Sequence, residues 1–435
     1  MLSQAVHNFY QHQGERKTYL IAYSGGLDSH VLLRLCRQLR KTLPLKLRAI
    51  HIHHGLSANA DLWAAHCARV CQEYEIDFAV KTIHFEKNGS DSIEALAREQ
   101  RYQAFAEYLQ KDEILLTAHH QDDQAETVLL QLSRGAGIKG LAAMPVIKPF
   151  ACGWHGRPLL SFQRVALQRY AELEQLTWIE DESNQNINLT RNFFRHHILY
   201  PLKERWPTIA ATLSRTAMHC AEANQLLDEF AHLLLSTVAG GKANTLSVTK
   251  LLRLSSEKQK LLLRAWIAKL GFPALNTKKI EQVQETILKA GRDRIPRIAW
   301  ANVVLRRFKD DLYLVRCLPV KIEQSFLWDL SSALHLSPLG KLQVQKTLAT
   351  GFSEAIGEVR VQFRQGGEKA NIKDRGRHTL KNLFQEWGVP TWERDYIPLI
   401  FKGEKLIGAV GYFTDPDFTA STNEWGMTLR WERVE

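Results

Sequence analysis

The chain has 435 residues, enough for two or three domains that each bury a core. Hydrophobic residues make up 45% and charged residues 24%, which excludes a disordered or fibrous chain, and no uncharged run approaches the ~18 residues of a membrane span. A formal net charge of +11 makes an anionic partner the expectation without choosing between nucleic acid and a membrane surface.

The first residues, Met1 to His7, lack a basic stretch followed by an apolar one, so no secretory leader is read there. The cysteines (Cys36, Cys67, Cys71, Cys152, Cys220 and Cys317) are scattered, as reduced thiols inside a cell would be. Cys67 and Cys71 fall on a helical pattern and read as small buried hydrophobes. The expected compartment is the cytoplasm.

In chain order, strand-like runs at 19–23, 45–52, 78–85 and 113–118 alternate with helical patterns at 28–42, 58–75, 92–110 and 122–134. This alternation predicts a doubly wound α/β fold, a parallel sheet covered on both faces. Ligands of such sheets sit beyond the carboxyl ends of the strands. Ser24-Gly25-Gly26, His51–Gly55 and His119–Asp123 all fall at such ends. Around 151–160 the pattern breaks into Gly and Pro, followed by a short helix to about Leu176 and a helix from about Asn188 to Pro201. Residues 208–292 read almost wholly helical, and a strand pair is expected at Val303–Phe308 and Leu312–Val315. A linker or domain edge is placed at 317–340, ahead of short strands at 359–363, 399–401, 406–410 and 428–431 and one helix at 378–387. The expected organisation is a doubly wound sheet domain over 1–210, a helical middle domain over 211–325 and a small α/β C-terminal domain over 340–435.

Two stretches carry chemistry. The first is Ser24-Gly25-Gly26-Leu27-Asp28-Ser29, between a strand and a helix. Adjacent glycines admit close approach of a ligand, and a helix start offers free N–H groups at a positive dipole end. The serines add hydroxyls, and Asp28 adds a carboxylate able to face a metal ion. This suits a phosphate cradle, although the same string could be a plain strand-to-helix turn capped by Asp28. It is not the GxxxxGK[ST] loop, because no Lys follows the glycines. The second is His119-His120-Gln121-Asp122-Asp123-Gln124-Ala125-Glu126, where a strand ends in paired His and two carboxylates open a helix carrying Glu126 one turn on. Helix-dipole stabilisation explains acids at a helix start, while His, Asp, Asp and Glu together suit Mg2+ coordination or recognition of an amine.

Weaker signals flank these. Glu94, Arg98 and Arg101 share a helix face and read as a solvated, salt-bridged surface. The histidines His51, His53 and His54 suit a metal site or the lining of a polar pocket. Arg134 to Leu141 is a helix C-cap or an anion loop. Near the C-terminus, Lys369, Lys373, Arg375, Arg377, His378 and Lys381 run beside Phe384, Trp387 and Trp392, which suits phosphate contacts with base stacking or a solvated basic loop.

The string SGGLDS resembles the pyrophosphate loop of the N-type ATP pyrophosphatases. With HHGLSANAD, SIEALAREQRY, LLTAHHQDDQAETVLLQLSRGAGIKGLAAM, RPLL, EDESN, Arg191-Asn192-Phe193-Phe194-Arg195 and Trp206-Pro207, the chain through about residue 210 resembles the tRNA(Ile)-lysidine synthetase family. The segment from Val361 to Asp395 is similar to that family's C-terminal domain, and His54 departs from its pattern, where many members carry Asp. The resemblance implies adenylation by ATP of O2 of the wobble cytidine in an isoleucine tRNA with a CAU anticodon, then attack of free L-lysine at C2 and loss of AMP. By the same resemblance Ser24 to Ser29 hold the phosphates and Asp28 places Mg2+. His119, Asp123 and Glu126 match the lysine- and cytidine-handling residues, and Arg191 or Arg195 a further substrate contact. Arg364, Lys373, Arg375, Arg377 and Lys381 are the implied tRNA contacts, and a homodimer is compatible with the family. A 2-thiolase of the same fold would be expected to carry a CxxC pair, which is absent, and an amidating synthetase would need a glutaminase portion. A tRNA-binding protein with a vestigial ATP site would not require both motifs intact.

Overall fold

Successive residues of the first strand, β1 (Thr18–Ala22), enter two different cores: Tyr19 and Ile21 one, Leu20 the other. Period-two alternation with apolar residues on both sides means a sheet buried on both faces. The computed structural model describes residues 1–13, 18–55, 57, 59–83, 93–291, 294–317 and 324–433, and the chain divides into two units, Met1–Phe230 and Ala231–Glu435.

In the first unit, helix α1 (Leu2–Gln11) precedes β1, and α2 (Leu27–Arg40), β2 (Lys46–His53), α3 (Ala60–Glu73), β3 (Asp77–Thr82), α4 (Ile93–Tyr108) and β4 (Ile114–Leu116) follow. Next come α5 (Gln121–Ser133), the single turn α6 (Ile138–Leu141), β5 (Ile147–Phe150), β6 (Gly153–Gly156) and α7 (Arg164–Leu173). The strand order is β3-β2-β1-β4-β6-β5, parallel except for β5. Residues of α1, α2, α3 and α7 close one face, and Ala104 and Phe105 of α4 close the other. The doubly wound sheet is therefore present, with β1 between β2 and β4, so that the loops after β1 and β4 open side by side.

The break read at 151–160 is instead the hairpin that adds β5 and β6 to the sheet. Its glycines are a packing requirement. A Cβ on Gly153 would collide with the Glu113 carbonyl oxygen, and one on Gly156 would lie 2.5 Å from Phe9 Cζ. The helix expected from Asn188 is three short pieces: α8 (Thr190–Phe193), a π-helical turn at Phe194–Leu199 and α9 (Tyr200–Arg205). Leu199 packs with Ala125 of α5 and Ala210 of α10 (Ile209–Leu235), which lays this segment along α5.

In the second unit the region 208–292, read as almost wholly helical, also holds one short strand, β7. α11 (Val248–Leu252), α12 (Ser256–Lys269) and α13 (Thr277–Gln282) pack with a sheet of β7 (Leu246–Ser247), β8 (Arg297–Trp300), β9 (Val303–Phe308) and β10 (Asp311–Arg316), ordered β7-β10-β9-β8. The expected strand pair is β9 and β10. β7, two residues long, is too short to show alternation within a run of helices, and β8 extends the expected pair on its outer edge. Strands resume at β11 (Phe326–Trp328) and β12 (Leu334–His335), inside the stretch read as a linker, of which 318–323 lie outside the described residues. They join β13 (Lys341–Leu348), β14 (Phe352–Ser353), β15 (Val359–Gln362), the hairpin β16 (Lys369–Ile372) and β17 (Gly376–Thr379), α14 (Leu380–Glu386), β18 (Leu399–Lys402), β19 (Lys405–Ala409), β20 (Phe413–Thr414) and β21 (Trp425–Glu432). Trp328, Leu336, Val361, Ile400 and Met427 share one core there, and Leu380, Phe384 and Leu399 another.

Candidate active site

The turn after β1 is shaped by Gly25, whose φ of +83° and lack of room for a side chain beside Ile179 exclude any other residue without strain. Gly26 is the N-cap of α2 and its position has no side-chain cap, so the positive helix end stays open to an anion. Ser24 Oγ lies 3.0 Å from Ser29 Oγ, and Ser29 Oγ donates to the Gly26 carbonyl at 2.9 Å, which holds both hydroxyls at the mouth of the turn. Asp28, in the first turn of α2, has its Oδ2 3.6 Å from His120 Nε2 and 3.9 Å from Arg164 Nε. Its Oδ1 is buried without a hydrogen-bond partner.

The end of β4 supplies the second half. His120 caps α5: its Nδ1 accepts from the Asp123 N–H at 3.4 Å, and the Asp123 carboxylate accepts from the His120 N–H at 2.9 Å. Capping and site chemistry are thus the same contact. Asp123 Oδ1 meets Arg191 Nη2 at 2.8 Å. Glu126, fully buried, takes Arg191 Nε at 2.7 Å on one oxygen and Arg195 Nε at 2.5 Å on the other. Arg191 and Arg195 stand four apart, one helical turn, so both face α5. Burial would raise the Asp123 carboxyl, but His120 and Arg191 hold it well below the usual range. Burial likewise opposes charge on His120, and Asp123, Asp28 and Asp122 outweigh it and raise its pKa. Asp122 turns aside to Lys203 Nζ at 2.6 Å and ties α5 to α9.

Asp28, Asp123, Glu126, Arg191 and Arg195, named from the sequence, therefore form one row of polar contacts, joined between Asp28 and Asp123 by His120. His119 stands beside it and is held neutral, pushed down to about 3 chiefly by burial. Both arginines pair with the carboxylates, Arg191 with Asp123 and Glu126 and Arg195 with Glu126. The histidines at the end of β2 have protein partners: His51 Nδ1 meets the Tyr23 carbonyl at 3.0 Å, and His53 Nε2 meets Asp61 at 3.1 Å. His54 is held neutral, near 4, by burial and the Arg101 charge. Among the described residues no cluster of His, Cys, Asp and Glu forms a metal cage. The solvated face read for Glu94, Arg98 and Arg101 needs correction at Arg101. Arg98 and Arg101 lie over the Tyr102 ring at 5.0 and 5.8 Å, and burial, with Arg98 and Arg191 adding to it, lowers the Arg101 pKa. Asp91 and the Glu94 side chain lie outside the described residues.

Sequence reasoning missed the surface next to the arginines. Phe193, Tyr200 and Trp206 are 44%, 38% and 53% exposed, with Lys203 over the Tyr200 ring at 6.0 Å and Arg205 over Trp206 at 5.7 Å. Exposed aromatics at positions that are not a core face were the available signal.

In the second unit the cations separate. Arg375 is paired bidentately with Glu386 at 2.9 and 3.0 Å, and Arg364 sits between Asp395 and Glu368 at 3.4 and 3.8 Å. Lys373, Arg377 and Lys381 are exposed on or beside the β16–β17 hairpin. The aromatics read as stacking platforms are occupied: Phe384 is core, Trp387 stacks on Tyr412 at 5.7 Å, and Trp392 packs against Tyr313 and Phe308 at 5.4 and 6.0 Å.

Three family models match in order: a PP-loop domain over residues 1–202, a TilS substrate-binding domain over 246–313 and a TilS substrate C-terminal domain over 359–431. The chain is 42% identical over 416 residues to the tRNA(Ile)-lysidine synthase of Coxiella burnetii, covering 94% of this chain and 92% of the relative. It belongs to the tRNA(Ile)-lysidine synthase family. The relative from Methylococcus capsulatus is also 42% identical, with 95% and 96% of the two chains covered, and that from Yersinia pestis is 40% identical, with 97% and 95% covered. The match spans the middle of the chain, where motifs alone gave nothing.

Proposed function

We propose that this protein is an ATP-dependent ligase that joins free L-lysine to C2 of the wobble cytidine of an isoleucine tRNA with a CAU anticodon, giving lysidine. The observation that carries the reading is the continuous row of polar contacts from Asp28 through His120 and Asp123 to the Glu126–Arg191–Arg195 clamp, set at the open end of α2. In the first step O2 of the cytidine attacks the α-phosphorus of ATP, and the bond to pyrophosphate breaks. In the second the lysine amine attacks C2, the C2–O bond breaks toward AMP, and the amine gives up a proton. Ser24 to Ser29 would cradle the phosphates, and the open α2 terminus supports that assignment. The buried, unpartnered Asp28 Oδ1 fits one ligand position of a Mg2+ ion, which takes one or two carboxylates plus substrate phosphates and neutralises phosphate charge when bound. Asp123 and Glu126 supply the carboxylates that suit a cationic amino acid, with Arg191 and Arg195 as their counter-charges.

For RNA, the exposed Phe193, Tyr200 and Trp206 with Arg205 offer stacking faces and a cation for the unpaired bases around the target cytidine, whereas Lys203 is held by Asp122. Lys373, Arg377 and Lys381 suit phosphate contacts elsewhere on the tRNA, whereas Arg364 and Arg375 already serve ion pairs. We place the enzyme in the cytoplasm, with its six cysteines unpaired. Cys67 and Cys71, the one close pair of cysteines in the sequence, do not suit sulfur transfer, because burial pushes their thiols up to about 12, far from the thiolate such chemistry needs.

The test is incubation with labelled lysine, ATP, Mg2+ and deacylated total tRNA, followed by mild alkali. Label that survives alkali with stoichiometric AMP is expected. AMP release that depends on tRNA without stable label would remove lysine as the nucleophile.

A further inference from the structure

A row of buried polar groups runs through the first unit and ends at His119. Arg157, itself buried, donates from Nη1 to the Pro145 carbonyl at 2.7 Å and reaches His155 Nδ1 with Nη2 at 3.1 Å. A guanidinium only donates, so His155 Nδ1 must present a lone pair. Burial and the Arg157 charge hold His155 neutral, pushed down to about 2, which leaves its one ring proton on Nε2. That nitrogen lies 2.8 Å from Thr117 Oγ1 and donates to it. The Thr117 hydroxyl has one proton left to give, and His119 Nδ1 stands 2.7 Å away to receive it. A neutral His119 whose Nδ1 accepts carries its proton on Nε2.

We infer that Arg157, His155 and Thr117 form a one-way hydrogen-bond relay that fixes His119 as an Nε2–H donor toward the site. His119 is therefore not the base that takes the proton of the attacking amine. A fixed N–H beside Arg191 suits an oxygen that gains negative charge, at the α-phosphate or on the departing AMP. Arg157, His155 and Thr117 are positioning residues that act through this ring. The role assigned to His119 rests on the function proposed above, whereas its tautomer does not.

The experiment separates the two. Long-range 1H–15N correlation spectra of the full chain with 15N-labelled histidine, taken without ATP, lysine or RNA, read the tautomer directly, and His119→Gln assigns the signals by their loss. The expected result is His119 with a pyrrole-type Nε2 and an unprotonated Nδ1, and the appearance of the Nδ1–H form in Thr117→Val but not in Thr117→Ser. An Nδ1–H ring in the unaltered protein, or the same mixture with and without the Thr117 hydroxyl, overturns the relay whatever the enzyme ligates. The kinetic half compares His119→Gln, which keeps an N–H near the reach of Nε2 but cannot take up a proton, with His119→Ala. Lysine transfer in His119→Gln is expected within about tenfold of the unaltered enzyme, against a loss of about 100-fold or more in His119→Ala. Equal loss in both variants overturns the donor role even if the tautomer is as stated.

Discussion

Glu126 has no exposed surface, and Arg195 meets its Oε1 with Nε at 2.5 Å. Arg191 holds the other oxygen, so one buried carboxylate balances two guanidinium groups. Glu126→Gln keeps the shape and removes the charge, leaving both arginines with Asp123 alone as counter-ion. Breaking a buried pair costs about 3–5 kcal/mol. A lower thermal midpoint and a loss of lysine transfer of about 100-fold or more are expected, checked by calorimetry and by the alkali-stable label. Unchanged transfer in a folded variant would remove Glu126 from the site.

Asp28→Asn tests the other half. The substitution leaves a neutral oxygen where a cation ligand is proposed, and Asp28 is a partner of His120 rather than a core residue. The Mg2+ concentration needed for half-maximal ATP–pyrophosphate exchange should rise by about tenfold or more, with little change in the melting temperature.

Gly25→Ala should fail for a different reason. The backbone there has φ +83°, and the added methyl would run into Ile179. Strain of about 1–3 kcal/mol distorts the turn, so ATP affinity is expected to fall while RNA affinity stays. Titration calorimetry with a non-hydrolysable ATP analogue and a filter-binding assay with tRNA read the two separately.

Stability should decline early on acidification. His30 and His54 are held neutral at about 4, His119 at about 3 and His155 at about 2, in each case chiefly by burial. Below about pH 6.5 the unfolded chain binds protons at these rings before the folded one does, so folding stability falls with pH from there downward through the folded values. Each such ring costs about 1 kcal/mol by pH 5.5. His120 works the other way, because its pKa is raised: its contribution is full below the unfolded value and fades as pH rises through the folded one. His51 and His66 are lowered by burial as well, so six rings against one give a net loss, which urea melts at pH 7.5, 6.5 and 5.5 would show.

The cations of the C-terminal hairpin should divide by their partners. Alanine at Lys373 or Arg377 is expected to lower the slope of log affinity for tRNA against log salt by roughly one each. Alanine at Arg375 should act mainly through its ion pair with Glu386, with a smaller change in slope. Equal slopes for all the variants would argue against this hairpin as a phosphate contact. Phe193→Ala and Trp206→Ala should weaken binding of the anticodon stem-loop by about 1–3 kcal/mol per lost stack, with no change in the salt slope.

Much of this was legible in the sequence, for a physical reason. Polar residues that interrupt apolar runs at strand ends, Ser24 to Ser29 and His119 to Glu126, have no business in the core and mark the ligand edge of the sheet. What stayed hidden depends on the third dimension. Arg101 and Arg98 sit three apart on one helix, and nothing in their spacing says that Arg98 stays exposed while Arg101 is half-buried, both over the Tyr102 ring. His155 and Arg157 lie in a Gly- and Pro-rich stretch that reads as loop, and only the pairing of β6 with β4 brings them behind Thr117. The aromatics near the C-terminal cations misled for the opposite reason, since Phe384 and Trp392 are used for packing.

The close packing of β6 also limits how this chain can be altered. Gly153 and Gly156 have no space for a methyl group, because Glu113 in front of β4 and Phe9 of α1 already fill it. A saturation library across the strand would return glycine at both positions, and the intervening residues would vary only within what Thr117 and Tyr102 leave around His155. The segment that looks most expendable by composition is thus among the least editable, and protein engineers seeking a tolerant insertion point would find it elsewhere.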